Sequence, residues 1–267
     1  MIDKEDYLEQ DCLICRQHGT KVPAKMDMQF VFDHLDSLYG VGQFQSAGDF
    51  LLECLGATED AGDITGQLLV INELLGYNRQ YGKPTDNIKY FSIIPDLIYR
   101  SGFYGSLDAG ITLVNMATAM LAIGDTAKAI ANFAEASRIY ADNIPTDDER
   151  FAALYNNMAG AYLQAREYCT AEDCYLRALR ILEKRNFRPD LAVTYINLAS
   201  LYHQMDVEDE RIHTMAQKGI DILEQNKNIE DSYFCYSCRK VAEPLAYLGY
   251  FKVAQKYKNL GLDDDLT

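Results

Sequence analysis

The stretch Tyr155-Asn-Asn-Met-Ala-Gly-Ala-Tyr162 decides the fold, because the chain repeats its pattern both upstream and downstream. Ala159 within it corresponds to Ala117 before it and to Ala199 after it, at a period of about 40 residues. Self-similarity at such a period is typical of stacked supersecondary units, none of which can bury its apolar face alone. The clear copies cover residues 110–222 and predict an all-α repeat protein.

Each copy predicts a pair of antiparallel helices. Ala117, Ala159 and Ala199 lie midway along a first helix, whereas Ala129 and Ala171 lie early in a second one. Small residues at these places allow two helices to approach closely. Larger side chains three or four residues away fill the remaining space, and these are Met120, Phe133, Tyr162, Tyr175 and Tyr202.

This pattern resembles the tetratricopeptide repeat, and its long period resembles the kinesin-light-chain-like variety of that repeat. The second-helix stretch Ala171-Glu-Asp-Cys-Tyr-Leu-Arg-Ala-Leu179 carries the resemblance together with the first-helix stretch quoted above. The resemblance implies a right-handed α-solenoid of about six stacked antiparallel helix hairpins. It also leads us to expect a bacterial source.

The resemblance extends to both ends of the chain with weaker matches. Degenerate repeats are expected over residues 28–109 and 235–262, where Pro84 departs from the pattern. We therefore expect an N-terminal capping helix over residues 1–22, followed by a repeat domain over residues 23–267.

Turn and capping signals place some helix boundaries. Gly56–Gly66 and Gly102–Gly110 are the best candidates for connectors. Thr146-Asp-Asp-Glu149 has the sequence of a capping box, with Thr146 as the N-cap. Pro189-Asp190 is expected to open the next helix.

The acidic composition restricts the classes of partner. The net charge is −15, from 40 acidic and 25 basic residues, and no stripe rich in lysine or arginine is present. Nucleic acids and anionic membranes both need a basic surface, so we expect neither as a partner. The acidity either keeps the array soluble or selects a basic protein partner.

The expected compartment is the cytoplasm. The chain shows neither a secretory signal nor a run of about 18 apolar residues. The cysteine count is seven, an odd number. Cys54, Cys169 and Cys174 are expected at helical core positions, which favours reduced thiols in a reducing compartment.

The chemistry-bearing residues form no complete catalytic or metal site. Cys12-x-x-Cys15 with His18 offers three ligands on one helical face, whereas structural zinc takes four. The alternative is that Cys12 and Cys15 belong to the apolar stripe of a packing helix. Cys235-x-x-Cys238 lacks the setting that a redox motif needs. We therefore predict no catalytic residue, no metal and no cofactor.

A column of asparagines is the strongest candidate for a binding site. Asn115, Asn157 and Asn197 each lie two residues before the small residue of a first helix, and Lys240 continues their register. In the family that the chain resembles, first helices line the concave face, and such asparagines hold an extended peptide. The alternative is that the asparagines bond neighbouring helices. With their immediate neighbours, the candidate peptide-binding residues are Asn115, Asn156, Asn157, Asn197, Arg239 and Lys240.

These observations predict a non-enzymatic adaptor or scaffold that holds an extended segment of a protein partner in a groove. One alternative is a sensor that changes conformation when it binds a signalling peptide. A minor alternative is a metalloprotein or enzyme that uses the paired cysteines. The oligomeric state stays open at this point.

Overall fold

The computed structural model describes residues 7–8, 25–185, 188–225 and 232–260. Nearly all of this is helix, apart from the antiparallel strand pair β1 (Tyr7–Leu8) and β2 (Lys25–Met26), in which Tyr7 lies opposite Met26. The rest of the predicted capping helix over residues 1–22 lies outside the described residues.

The described helices pair into six antiparallel hairpins, which confirms the predicted all-α helical repeat fold. The contacts divide the chain into two units, Met1–Asn143 and Ile144–Thr267, with three hairpins in each. In chain order the helices are α1 (Met28–Gly40), α2 (Phe44–Ala61), α3 (Ile64–Gln80), α4 (Ile88–Phe91), α5 (Ile94–Arg100), α6 (Leu107–Ala122), α7 (Thr126–Asn143), α8 (Glu149–Gln164), α9 (Tyr168–Arg185), α10 (Arg188–Gln204), α11 (Asp209–Gln225), α12 (Ser232–Tyr247) and α13 (Phe251–Lys258).

The repeated alanines lie at buried core positions of the paired helices, as predicted. Ala117, Ala159 and Ala199 lie in α6, α8 and α10, and Ala129 and Ala171 lie in α7 and α9. All five are fully buried. Replacing any of them with a large side chain would therefore displace a neighbouring helix.

The second helix of the second hairpin is broken. A 3-10 turn at Pro84–Asn87 precedes two short helices, α4 and α5. The fully buried Asn87 side chain holds this break, because it donates to the Leu75 carbonyl at 3.1 Å and accepts from the Asn78 amide at 2.9 Å. Pro84 begins this turn, so the predicted departure from the pattern has a physical cause.

Two of the predicted boundaries are wrong. Gly56 lies inside α2, and the turn at Gly62 and Asp63 connects α2 to α3; Gly62 has a φ of 66°, which favours glycine. The N-cap of α8 is Asp148 rather than Thr146. Asp148 closes a turn that precedes the helix, because its N–H donates to the Pro145 carbonyl. Its carboxylate then caps α8 by accepting from the Arg150 N–H at 3.0 Å.

Candidate functional site

The first helices of the second unit, α8, α10 and α12, lie next to one another. The Asn156 amide on α8 donates to Thr194 Oγ1 on α10 at 2.9 Å. The Tyr233 hydroxyl on α12 donates to the Asp190 carboxylate on α10 at 2.7 Å. These bonds fix how far each helix is shifted along its neighbour.

The two bonds also fix the register of the predicted column. Asn156 and Thr194 lie at the same level because they are bonded to each other. Asn157 follows Asn156 by one residue, and Asn197 follows Thr194 by three. Asn157 and Asn197 are therefore offset by two residues, which is about 3 Å along the helix axes. Lys240 follows Tyr233 by seven residues, as Asn197 follows Asp190. Asn157, Asn197 and Lys240 thus lie at similar levels on adjacent helices.

A row of accessible residues, spaced three or four apart, runs along each of these helices; we call the three rows together the open face. The members of the open face are Ala153, Asn157, Gly160 and Gln164 on α8, Asn197, Ser200 and Gln204 on α10, and Tyr233, Tyr236, Lys240, Glu243 and Tyr247 on α12. Most of these side chains are polar or small. Tyr236 and Tyr247, which the repeat pattern leaves unexplained, both belong to it.

Asn157 and Asn197 are half-buried, and their side chains make no hydrogen bond within the described part of the chain. Each amide therefore has a donor and an acceptor available to a ligand.

Asn156 differs from its neighbour Asn157. Its amide donates to Thr194 and to the Ala152 carbonyl at 3.2 Å, and its Oδ1 atom is buried, with no partner among the described residues. We therefore assign Asn156 to the contact between α8 and α10. For this residue the geometry favours the alternative that the asparagines bond neighbouring helices.

Asn115 lies in the first unit, on α6. Its amide donates to Asn72 Oδ1 at 3.4 Å, and Asn72 donates to Thr112 Oγ1 at 3.0 Å. Asn115 and Asn72 line a cleft of about 220 Å³ together with Glu73 and Arg79. Asn72, Thr112 and Thr194 were not among the candidates predicted from the sequence, although Thr112 and Thr194 both lie three residues before a column asparagine.

The two basic candidates have different surroundings. Lys240 is exposed, with no partner among the described residues. Arg239 is half-buried and donates from Nη1 to the Leu260 carbonyl at 2.9 Å, which ties the end of the described chain to α12. Lys240 is therefore the better-placed of the two to offer charge to a ligand.

A cavity of about 370 Å³ lies near the end of the open face, between the turns of the last two hairpins. The rings of His203 and Tyr247 form an edge-to-face pair with centroids 4.9 Å apart, and His213 stacks on Tyr250. Ile212 and Leu248 form the apolar part of the cavity wall.

The cysteines are unbridged thiols wherever the structure describes them. Cys54 and Cys174 are buried, as predicted, but Cys169 is exposed because it lies on the solvent side of the first turn of α9. Burial raises the pKa of Cys174 to about 11 and that of Cys238 to about 12. Cys12, Cys15 and His18 lie outside the described residues. Elsewhere in the described chain, no group of three or more potential ligands could hold a metal ion.

No helix within the described ranges is both long and apolar enough to cross a membrane. The comparison with protein families matches residues 150–225 to the tetratricopeptide repeat. No curated protein matches the chain.

Several solved structures are similar to this chain. BtubC (BKLC) from P. vanneervenii is 18% identical, with a TM-score of 0.45, over 92% of this chain and 89% of that one. A Podosopora anserina putative kinesin light chain with nearly identical TPR-like repeats is 17% identical, with a TM-score of 0.48, over 73% of this chain and 92% of that one.

Proposed function

We propose that this chain, which carries tetratricopeptide repeats over residues 150–225, is a non-enzymatic cytoplasmic adaptor that holds an extended segment of a partner protein on its open face. Tetratricopeptide repeats generally mediate contacts between proteins. The more specific proposal, that an extended peptide lies across α8, α10 and α12, depends on the side chains of those helices.

The observation that carries the proposal is the pair of half-buried amides of Asn157 and Asn197, which make no hydrogen bond with any described residue. An amide can accept from a peptide N–H and donate to a peptide C=O, so it can hold a backbone without reading its side chains. Packed helices lie about 8–10 Å apart, and an extended chain rises about 3.3 Å per residue. Amides on adjacent helices therefore match peptide groups about three residues apart.

The neighbouring residues favour a close approach of the ligand backbone. Gly160 and Ser200 lie three residues after Asn157 and Asn197 on the same rows, and neither has a bulky side chain. Lys240 places a positive charge on the adjacent helix, next to Arg239. We propose that these two residues attract a carboxylate of the ligand, either acidic or C-terminal.

The remaining candidates have supporting roles in this proposal. Asn156 holds α8 against α10, which fixes the spacing of the two free amides. Asn115 belongs to the first unit, where we propose that it lines a separate polar cleft with Asn72.

The proposal can be tested with peptides selected by display on the immobilised full chain. Titration calorimetry then compares the parent with the double variant Asn157→Ala, Asn197→Ala. Each lost hydrogen bond to a buried peptide group costs about 1–3 kcal/mol, so the double variant should bind at least about tenfold more weakly. Asn132→Ala, which changes an amide on the second helix α7, is the matched control and should leave binding unchanged. Equal affinity of the double variant and the parent would reject this site.

A further inference from the structure

Four aromatic rings of the first unit form a cluster at the C-terminal ends of α1 and α3 and the N-terminal end of α2. The rings of Phe44 and Tyr81 stack with centroids 4.2 Å apart and planes inclined by 12°. Tyr39 lies 5.6 Å from Tyr81, and Tyr77 lies 6.1 Å from Tyr81. We call Tyr39, Phe44, Tyr77 and Tyr81 the aromatic cluster.

The cluster remains open to solvent although its rings are held in place. Phe44 is 38% exposed, Tyr81 is 43% exposed, and the adjoining Val41 is 67% exposed. Tyr77 lies against the backbone of α2 at Gly48, where an added Cβ atom would meet the Tyr77 hydroxyl at 2.3 Å. An exposed group of fixed aromatic rings is the kind of surface that marks an interaction site.

Three carboxylates lie near these rings: Asp36 is one helical turn before Tyr39 on α1, Glu73 is one turn before Tyr77 on α3, and Asp49 follows Gly48, which Tyr77 faces. Burial and then the charge of Glu73 raise the pKa of Tyr39 to about 12, with a further contribution from Asp36. Burial and then Asp49 raise the pKa of Tyr77, and burial and then Asp36 raise the pKa of Glu73. The rings therefore lie in a negative field from Asp36, Asp49 and Glu73.

No cation of the described chain compensates this charge. Asp36, Asp49 and Glu73 form no ion pair with any described residue. Arg79 lies beside Glu73 in the neighbouring cleft, yet the two make no ion pair there. Glu73 is half-buried, whereas Asp36 and Asp49 are exposed. Carboxylates next to aromatic faces, without a counter-charge, attract a cation from another molecule.

We propose that the aromatic cluster and its three carboxylates bind an arginine side chain in a basic segment of a partner protein. A planar guanidinium group can stack on the face of Phe44 or Tyr81 while its N–H groups bond a carboxylate. An ammonium group is a compact, strongly hydrated charge and fits this combination less well. The site uses no residue of the open face, so either site can exist without the other.

The test uses two mixtures of random heptapeptides that differ only at the central position, which holds arginine in one and its neutral analogue citrulline in the other. Both are passed over the immobilised full chain, and retained peptides are quantified by mass spectrometry. Stacking combined with a charged hydrogen bond should give about a tenfold preference for arginine. A third mixture with central lysine should be retained less than the arginine mixture.

Variants separate this site from general attraction to an acidic protein. Glu73→Gln and Tyr81→Ala should each reduce the arginine preference to less than about threefold, because each removes one of the two contacts. Asp60→Asn makes the same charge change on an exposed carboxylate of α2 that has no partner within the described residues, and it should keep the full preference. Circular dichroism checks that each variant remains helical, and Glu73→Gln decides alone if Tyr81→Ala unfolds.

Three results would overturn the proposal. Equal retention of the arginine and citrulline mixtures would exclude a cation site. A preference that survives in Glu73→Gln would assign the effect to net charge alone. Retention of the lysine mixture equal to that of the arginine mixture would overturn the assignment of arginine as the occupant.

Discussion

Asn156 and Thr194 form a relay between two neighbouring first helices. The Asn156 amide donates to Thr194 Oγ1 at 2.9 Å, and the Thr194 hydroxyl donates to the Asp190 carbonyl at 2.7 Å. The first unit contains the same arrangement. Asn72 donates to Thr112 Oγ1 at 3.0 Å, and the Thr112 hydroxyl donates to the Asp108 carbonyl at 2.8 Å. A repeated, partly buried relay of this kind holds the stack in register.

The first prediction is that Asn156 and Asn157 differ in their effects on stability. Asn156→Ala should lower the free energy of unfolding by about 1–2 kcal/mol, because it leaves the Thr194 hydroxyl without its donor. Asn157→Ala should change it by less than about 0.5 kcal/mol, since its side chain is unbonded in the described structure. Urea denaturation measures both. Equal losses in the two variants would contradict this division of roles.

The second prediction concerns Gly219 on α11. A Cβ atom there would lie 2.6 Å from Ile196 Cγ1 and 2.8 Å from the Ala192 carbonyl oxygen, both on α10. The Ala192 oxygen belongs to the helix backbone, so relieving this clash would require α10 to shift, which lowers stability. Gly219→Ala should therefore destabilise by about 1–3 kcal/mol, less the gain of about 1 kcal/mol in helix propensity. Gly56→Ala on α2 is the control, with nothing within 4 Å of the added atom, and it should raise the melting temperature. A stabilised Gly219→Ala variant would mean that α10 and α11 are less closely packed.

The third prediction tests the repeat register through overpacking. Ala171 is fully buried in α9, so Ala171→Trp should cost at least about 1–3 kcal/mol and lower the melting temperature clearly. Cys169→Trp introduces the same side chain two residues earlier, at an exposed position, and should have little effect. Thermal unfolding followed by circular dichroism compares them. Equal melting temperatures for both variants would show that the register is wrong.

The fourth prediction concerns thiol reactivity and its pH dependence. Thiolate is the reactive form, and its fraction rises with pH up to the pKa of the thiol. Because burial raises the pKa of Cys174 to about 11 and that of Cys238 to about 12, both should remain protonated between pH 7 and pH 9. Among the cysteines that the structure describes, iodoacetamide should modify exposed Cys169 first, as read by mass spectrometry. Rapid labelling of Cys238 in the folded protein at pH 8 would refute its burial.

The fifth prediction concerns charge on the open face. Lys240→Glu should weaken binding of a selected peptide with a free C-terminal carboxylate more than binding of its amidated form. The loss should shrink as salt rises, because screening weakens exposed charge pairs. Arg239→Glu should also lower stability, since it removes the bond to the Leu260 carbonyl. Calorimetry at two salt concentrations separates binding from stability; identical losses for both peptide forms would exclude a carboxylate contact.

The sequence was sufficient for the repeat and its core positions, because burial repeats wherever the period repeats. Ala117, Ala159 and Ala171 needed no information beyond their offsets, since a close helix contact accepts only a small side chain. The ends of individual helices were harder to predict. Both Thr146 and Asp148 can cap a helix, and only the turn closed onto Pro145 selects Asp148.

The roles of the asparagines could not be separated from the sequence. Asn156 and Asn157 are identical neighbours, and a helix turns by about 100° between them. That rotation directs one amide to Thr194 on the adjacent helix and leaves the other accessible. Which of the two meets the adjacent helix depends on the placement of that helix, and this is a property of the packed array.

The sequence separations of the bonds between hairpins have a consequence for synthesis of the protein. Asn156 and Thr194 are 38 residues apart, Tyr233 and Asp190 are 43 apart, and Lys256 and Glu224 are 32 apart. Chains whose contacts are this local fold rapidly, because little loop entropy is lost before contacts form. Within a unit, each hairpin can dock on its predecessor soon after it leaves the ribosome. Folding within each unit can therefore keep pace with translation, which shortens the time for which unpaired apolar helix faces are exposed to aggregation.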